Sequence, residues 1–295
     1  MIVYLDCDTG IDDAVALAYL LGRDDVEIAG IGTVNGNTSA VQAAANTVGL
    51  LELAGRGGIP VAVGAGEFRR GAVEVHGDNG VGGVTLPGGG AVDGRTAVGL
   101  LVDVARRYPG ELHVLATGPC TNLAAALRVE PELPGLVASV TVMGGAVRVP
   151  GNVTRHAEAN IAGDPAAAGD VLGASWPVTL VPLDVSMNHR WSEGDRDALR
   201  AAGTPLAGAL AAMLPVYFDF YEPGLGERRI PLHDPLAAAI AVGEVRPVEA
   251  PELGLRVDPG TGRIVEDDSA PTRVRVVLSV DRPAGPVILD RVTGR

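Results

Sequence analysis

Four carboxylates lie within eight residues near the start of the chain, in the segment Asp6-Cys7-Asp8-Thr9-Gly10-Ile11-Asp12-Asp13. The apolar run of residues 2–5 precedes this segment, and the helical pattern of residues 14–21 follows it. Together they predict a buried parallel strand, a tight turn and a helix. Carboxylates this close repel one another, so they need protons or cations to coexist. A hard divalent metal ion with oxygen ligands is the simplest partner; the alternative is that Asp12 caps the helix and the other carboxylates are solvated.

Polar residues also follow the other predicted strands. The carboxyl ends of strands on one side of a sheet converge, so these side chains are expected to line one pocket. That pocket is acidic and rich in amides, which suits a polyol such as a sugar and does not suit phosphate. Its expected members are Asn35, Asn37, the segment His76–Gly80, Thr117, Thr121, Asn122, Met143, Asn152, Glu158, Asn160 and Asp184.

Apolar runs alternate with alanine-rich helical patterns along most of the chain. This rhythm predicts an α/β fold: an open, mostly parallel central sheet flanked by helices, with the site at the carboxyl ends of the strands. Residues 251–295 predict a small β appendage near the C-terminus, with strands at Arg273–Val280 and Val287–Leu289. The whole chain, 1–295, is predicted to be a single domain. The expected strands are Ile2–Leu5, Val26–Val34, Ile59–Val63, Leu112–Ala116, Val137–Met143 and Val178–Leu183, and the expected helices include Ala40–Leu53, Thr96–Arg107, Asn122–Leu127 and Pro165–Leu172.

Composition narrows the function classes. The net charge is −13, which argues against nucleic acid or an anionic membrane as a partner. All 23 basic residues are arginine, so a Schiff-base lysine is excluded. Cys7 and Cys120 are too few and too far apart to suggest a disulfide framework or a zinc site. With a strand expected from residue 2 and no long apolar run, we expect a cytoplasmic protein without a signal peptide or membrane span.

Several motifs, in order, resemble those of the inosine–uridine-preferring nucleoside hydrolase family. The first segment is similar to the family's DxDPGxDD signature, with Thr9 in place of the usual proline. Proline would fix φ in this turn, but no metal ligand is changed. The resemblance covers residues 2–240 at least and is weak beyond about residue 255. The further motifs are Gly36-Asn37, His76-Gly77, residues 117–122, Met143-Gly144-Gly145, Gly151-Asn152, residues 157–160 and His233-Asp234-Pro235.

The resemblance implies calcium-dependent hydrolysis of the N-glycosidic bond of ribonucleosides, giving ribose and free base, as in nucleoside catabolism and salvage. It implies that Ca²⁺ is held by Asp8, Asp13, the carbonyl of Thr117 and Asp234, an oxygen-only set of the kind that calcium takes. Asp8 would also be the general base that activates water. His233 would be the acid that serves the departing base.

The same resemblance implies the substrate ligands. Asp12 would bind the ribose 2′-hydroxyl, and His76 would reach the base. Asn37, Asn152, Glu158 and Asn160 would bind ribose hydroxyls, while Met143 packs under the sugar. Asparagines after glycine are also common in turns, a lone methionine is often core, and a loop histidine is often only a surface residue. The aromatic segment 217–230 either closes over the base or belongs to the core.

Rival functions remain at this point. A non-catalytic nucleoside- or sugar-binding protein would use the same pocket without the chemistry. A haloacid-dehalogenase-type phosphatase shares Asp6-x-Asp8 but has threonine where this chain has Gly10, and it usually needs a lysine. A dinucleotide-binding enzyme would show GxGxxG after the first strand. The family resemblance implies a homodimer or homotetramer, and the preference for purine or pyrimidine stays open.

Overall fold

The computed structural model describes residues 1–64 and 73–295, except for the side chains of residues 73 and 74. None of the described helices is both long and apolar enough to cross a bilayer. The strands are β1 (Ile2–Cys7), β2 (Glu27–Thr33), β3 (Val61–Val63), β4 (Leu112–Ala116), β5 (Val137–Met143), β6 (Val178–Val181), β7 (Arg190–Ser192), β8 (Arg229–Pro231), β9 (Pro247–Glu249), β10 (Glu252–Leu253), β11 (Leu255–Val257), β12 (Ile264–Glu266), β13 (Val274–Val276) and β14 (Ser279–Val280). The helices are α1 (Ile11–Leu21), α2 (Ala40–Leu53), α3 (Val73–His76), α4 (Ala97–Arg107), α5 (Thr121–Val129), α6 (Leu133–Leu136), α7 (Ala159–Gly163), α8 (Pro165–Leu172), α9 (Leu183–Ser186), α10 (Glu193–Ala201), α11 (Pro205–Leu225), α12 (His233–Ala241) and α13 (Ala284–Thr293).

The central feature is an eight-stranded sheet in the order β10–β13–β6–β5–β4–β1–β2–β3. Its neighbouring strands run parallel, apart from β10 against β13. Parallel neighbours need crossover connections, and the helices supply most of them. Small antiparallel pairs form outside this sheet: β7 with β8, β9 with β14, and β11 with β12. The predicted α/β fold, with small antiparallel strands near the C-terminus, is therefore confirmed.

Strand β1 lies between β2 and β4, and this position explains its apolar sequence. Successive side chains of a strand point to opposite faces of the sheet. Both faces are packed here, because Val3 and Leu5 join one hydrophobic core and Tyr4 joins the other. Asp6 is level with Gly32 of β2 and with Ala116 of β4, so three strands end together where the acidic segment begins.

Apart from the start of α1, the predicted bounds of the strands and helices before residue 184 agree with the structure to within two residues at each end. The strand expected over Val178–Leu183 ends at Val181. Pro182 lacks the N–H that a ladder needs and instead precedes the first turn of α9. Four predicted elements match residue for residue: Leu112–Ala116, Val137–Met143, Ala40–Leu53 and Pro165–Leu172.

The C-terminal prediction is partly wrong. Residues Val287–Leu289 are helical and belong to α13 rather than to a strand. A three-residue apolar run fits either structure, and the burial here repeats at helical spacing, with Ala284 and Ile288 buried. Gly294, at a φ of +72°, ends the helix in the left-handed conformation that glycine adopts readily. The expected strand at Arg273–Val280 is present as β13 and β14, and β13 extends the main sheet.

Burial in α13 can be tested with one large-to-small substitution. Ile288 has no exposed surface, so Ile288→Ala should lower the free energy of unfolding by about 2–5 kcal/mol. Val287→Ala, at the partly exposed neighbour, is the control and should cost less. Urea unfolding of both variants measures the difference. A larger cost at Val287 than at Ile288 would contradict the helical packing.

Candidate active site

The acidic cluster is assembled by two helix starts and one strand end. Asp12 and Asp13 lie in the first turn of α1, and Asp234 lies in the first turn of α12. One carboxylate oxygen of each comes within 4.8 Å of the other two. Asp8 follows β1 directly and is also buried. The N-terminal ends of helices favour negative charge, which lowers the cost of collecting these groups.

Asp8 and Asp13 are held by neighbouring loops. The backbone N–H of Asn37 donates to Asp8 Oδ2 at 2.7 Å, and Asn37 Nδ2 donates to Asp8 Oδ1 at 3.0 Å. Thr117 Oγ1 donates to Asp13 Oδ1 at 2.7 Å, and the N–H of Gly10 donates to Asp13 Oδ2 at 2.8 Å. A side chain at Gly36 would place Cβ 1.9 Å from Asp8 Oδ2. Position 36 must therefore be glycine for Asp8 to keep this place.

Burial dominates the electrostatics of the cluster. It raises the pKa of Asp8 and of Asp234 well above the usual carboxyl range, and the charges of neighbouring aspartates raise them further. The pKa values of Asp12 and Asp13 also rise because of burial, although hydrogen bonds to both carboxylates oppose this. The four groups cannot all ionise here without a compensating positive charge.

The cluster offers oxygen ligands that suit a divalent cation. Asp12 Oδ1 is buried and has no hydrogen-bond partner among the described residues. Among the described residues, the one basic side chain in range of these carboxylates is that of His76, whose Nδ1 lies 3.9 Å from Asp12 Oδ1. Burial lowers the pKa of His76 to about 4, so this ring supplies no positive charge near neutral pH. Buried carboxylates, a nearby carbonyl and an unpaired oxygen together match the ligand preferences of a hard metal ion.

Tyr217 links the acidic cluster to an aromatic wall, which is formed by His76, Tyr217, Tyr221 and His233. Its hydroxyl donates to Asp12 Oδ2 at 2.9 Å, and its ring centroid lies 5.3 Å from that of His76. Tyr221 packs edge-on against Tyr217 at 4.9 Å. Tyr217 is 2% exposed. Tyr217 thus contacts the acidic cluster and is at the same time part of the hydrophobic core, against which Tyr221 packs.

The ring of His76 has one defined tautomer. The backbone N–H of Ile11 donates to His76 Nδ1 at 3.1 Å. A backbone N–H can only donate, so Nδ1 is the acceptor and the proton of the neutral ring is on Nε2. His76 thus presents a hydrogen-bond donor at Nε2, held by the first residue of α1.

His233 is buried between two hydroxyl groups. Ser186 Oγ lies 2.8 Å from Nδ1, and the hydroxyl of Tyr221 lies 3.2 Å from Nε2. Burial lowers the pKa of His233 to about 3. The position next to Asp234, expected from the sequence, brings this ring to the same site as His76 and Tyr217.

The expected ribose ligands divide into two groups. Glu158, Asn160 and Met143 are buried near Thr117, which is the expected calcium carbonyl. Asn160 Nδ2 donates to the carbonyl of Thr117 at 2.8 Å and to the carbonyl of Met143 at 3.1 Å. The Glu158 carboxylate accepts backbone N–H bonds from Gly145, Asn160 and Ile161, so it also caps α7.

Asn152 and Asn37, the other two expected ribose ligands with amide side chains, are not buried. Asn152 is exposed, and its Oδ1 accepts the N–H of Ala159 at 3.1 Å. Asn37 is partly exposed, and its amide nitrogen contacts Asp8 and Asp13. Asn37 is thus a holder of the acidic cluster, a role that the sequence did not indicate.

Thr9 occupies the position at which the similar family motif usually has proline. Its hydroxyl lies 2.7 Å from Thr47 Oγ1 and 3.3 Å from Cys7 Sγ, and its carbonyl accepts from Asn46 Nδ2 at 3.2 Å. These buried contacts hold the turn between β1 and α1 without the restriction of φ that proline would supply.

The rest of the aromatic segment lies away from the cluster. Phe218 is fully buried in the core, whereas Phe220 is 41% exposed. Arg228, which lies in the same segment, pairs with Glu193, Asp219 and Glu222. These ion pairs tie the end of α11 to α10.

The chain is similar to nucleoside hydrolases in sequence and in structure. The family model "Inosine-uridine preferring nucleoside hydrolase" matches residues 3–285. A probable uridine nucleosidase 2 of Arabidopsis thaliana is 36% identical over 241 residues, covering 79% of this chain and 74% of that protein. The inosine-uridine preferring nucleoside hydrolase of Leishmania major is 35% identical over 247 residues, covering 81% and 78%. A purine-preferring ribonucleoside hydrolase from Gardnerella vaginalis superposes with a TM-score of 0.92 at 32% identity, covering 100% and 98%.

Asp6 provides a test of the electrostatics beside the cluster. Its Oδ1 accepts from Asn122 Nδ2 at 2.8 Å, its Oδ2 has no partner among the described residues, and burial raises its pKa to about 7. Between the unfolded value of 3.8 and about 7, the folded carboxyl keeps a proton that the unfolded one loses. The contribution of Asp6 to stability is therefore present at low pH and is lost as pH rises to about 7.

We predict that Asp6→Asn removes this pH dependence. Because asparagine does not titrate, the melting temperature of the wild type should fall relative to that of the variant from about pH 5 to about pH 7, and the difference should then stay constant. Thermal melts across this range, with metal content held fixed, measure it. Asp24→Asn, at an exposed aspartate, is the control and should follow the wild type. A constant difference from pH 5 upward would contradict the raised pKa.

Proposed function

We propose a calcium-dependent reaction for this chain, which belongs to the inosine–uridine-preferring nucleoside hydrolase family and is therefore an N-glycosyl hydrolase of ribonucleosides. The observation that carries the proposal is the buried cluster of Asp8, Asp12, Asp13 and Asp234 beside a wall of His76, Tyr217, Tyr221 and His233. A polyol is bound on the acidic side, and a flat base is bound on the aromatic side.

Calcium would be held by Asp8, Asp13, the carbonyl of Thr117 and Asp234. When bound, it supplies the positive charge that lets these carboxylates ionise together and that polarises water and the ribose hydroxyls. The raised pKa values of the aspartates support a cation here. Asp12 belongs to the same cluster of aspartates and would bind the ribose 2′-hydroxyl beside the calcium. The Tyr217 hydroxyl holds the Asp12 carboxylate in place.

Asp8 is the proposed general base. It takes a proton from the water whose oxygen bonds to the anomeric carbon, as the bond from that carbon to the base nitrogen breaks. A base must stay in place while the ribosyl group passes through an oxocarbenium-like transition state. Asn37 supports this role because its backbone N–H and side-chain amide each hold one oxygen of the Asp8 carboxylate.

The ribose side is formed by Glu158, Asn160, Asn152, Asn37 and Met143. Glu158 is fixed by three backbone N–H groups, so its carboxylate is oriented before the substrate arrives. Such preorganised charge stabilises a transition state without reorganisation during the reaction. Met143 is buried and would pack against the sugar.

Two histidines would stabilise the departing base. His76 donates a hydrogen bond from Nε2, while His233 gives a proton to the leaving nitrogen. Burial disfavours the protonated ring of His233, and the negative charge that develops on the base favours it. The relatives are named for uridine, for inosine and uridine, and for purines. Base preference stays open, and a single domain, a homodimer or homotetramer and a cytoplasmic location stay predictions.

The reaction and its metal are tested together. The purified chain should release ribose from inosine, adenosine, uridine or cytidine, lose this activity in a chelator and regain it with Ca²⁺. Asp13→Ala should lose both the calcium, measured as about one ion per wild-type chain by elemental analysis, and the activity. Asp24→Ala, at an exposed aspartate, is the matched control and should keep both. Full turnover by metal-free protein would refute calcium dependence but leave the hydrolase intact.

The role of Asp8 is tested by a substitution that keeps an oxygen ligand. Asp8→Asn removes the proton acceptor, so kcat should fall by roughly 10²–10⁴. Calcium content is measured in the same samples to separate loss of the base from loss of the metal. A variant that keeps its calcium and a tenth of the wild-type kcat would show that Asp8 is not the base.

A further inference from the structure

His233 has a buried partner that the reaction scheme above does not use. Ser186 lies at the end of α9, has no exposed surface, and places Oγ 2.8 Å from His233 Nδ1. The hydroxyl of Tyr221, a partly exposed residue, lies on the opposite edge of the ring, 3.2 Å from Nε2. The imidazole is thus held from the protein interior at Nδ1, with Nε2 on the edge that faces the aromatic wall.

A serine hydroxyl can hold an imidazole nitrogen in either tautomer of the ring. Serine can donate to an unprotonated Nδ1 or accept from a protonated one, so the contact persists whichever nitrogen carries the proton. His76 has a different partner, because the backbone N–H of Ile11 can only donate to its Nδ1. His76 is therefore confined to a donor role at Nε2, whereas Ser186 can hold the His233 ring either as a donor or as an acceptor.

Orientation of the ring is the property that Ser186 controls. Rotation of an imidazole about its terminal torsion is soft and roughly two-fold. Without the Nδ1 contact, the ring could turn and replace the Nε2 edge with carbon. The Tyr221 hydroxyl alone would not prevent this, because it belongs to a partly exposed residue on the side where the base must enter.

We propose that Ser186 is a positioning residue for the reaction: its hydroxyl holds His233 Nδ1 so that Nε2 faces the departing base. This inference rests on the proposed role of His233 and assigns a part to a residue outside the family motifs recognised in the sequence. In this proposal Ser186 acts on His233 and not on the substrate. The effect of Ser186 passes through His233. A substitution at Ser186 should therefore slow the reaction only for substrates whose leaving group must be protonated.

The test compares two leaving groups. Ser186→Ala should lower kcat/KM for a natural nucleoside about 10- to 50-fold, a part of what one acid contributes. Activity on p-nitrophenyl riboside, whose leaving group needs no protonation, should change by less than about twofold. His233→Ala should show the same split with a loss of about 100-fold or more. Ser186→Thr, which retains a hydroxyl, should recover activity on the natural nucleoside.

A matched control exists elsewhere in the sheet. Ser139 Oγ also lies 2.8 Å from a histidine Nδ1, that of His113, near the opposite ends of strands β4 and β5. Ser139→Ala removes a similar contact and should leave both substrates unaffected. Thermal melts of both alanine variants report any general loss of stability.

The double variant Ser186→Ala/His233→Ala decides whether Ser186 acts through the histidine. Residues that act as one unit are non-additive, so the double variant should be no worse than His233→Ala alone on the natural nucleoside. Equal losses on both substrates for Ser186→Ala, no loss on either, or additive losses in the double variant would each overturn the proposal. If His233→Ala also damages both substrates equally, the acid role in the proposed function fails; if only Ser186→Ala lacks the split, that role stands.

Discussion

The placement of the functional groups depends on one constraint, the concentration of buried carboxylates at the end of β1. Asp8, Asp13 and Asp234 have raised pKa values because water is excluded from them and because they repel one another. Several surrounding features reduce that cost: helix starts, N–H donors from Gly10 and Asn37, and the hydroxyls of Thr117 and Tyr217. None of these carries a full positive charge. A bound cation would complete the balance, and folding of the site and binding of metal would then be linked.

The two histidines show how a backbone and a hydroxyl give similar rings different chemistry. Both rings are buried, and burial lowers the pKa of each. Ile11 N–H restricts His76 to one tautomer, because the amide cannot reverse its direction. Ser186 places no such restriction on His233. In the proposed function, one side of the base would meet a fixed donor, and the other would meet a ring whose serine partner can donate or accept.

Much of the fold and part of the site could be predicted from sequence, because those features are local. The apolar run before Asp6, the glycine after it and the helical pattern from Ala14 predict a strand, a turn and a helix within 21 residues, and the helix begins at Ile11. The pairing of Tyr217 with Asp12 joins residues 205 positions apart, and no pattern in the chain indicates it. The helix α13 was missed for a different reason, since the apolar run Val287–Leu289 is too short to show a period.

Asn37 shows why a motif can locate a residue without giving its role. The resemblance marked this asparagine for the ribose, and glycine before it indicated a turn. In the fold, that turn lies against Asp8 so closely that position 36 has no room for Cβ. The backbone of the same turn then holds one Asp8 oxygen and its side chain holds the other. A change at Asn37 therefore alters the proposed base as well as any sugar contact, and a loss of ribose affinity alone would not separate the two effects. The useful quantity is kcat relative to KM, because a pure sugar ligand whose contact is equal in the ground and transition states changes KM, whereas a residue that orients Asp8 changes kcat.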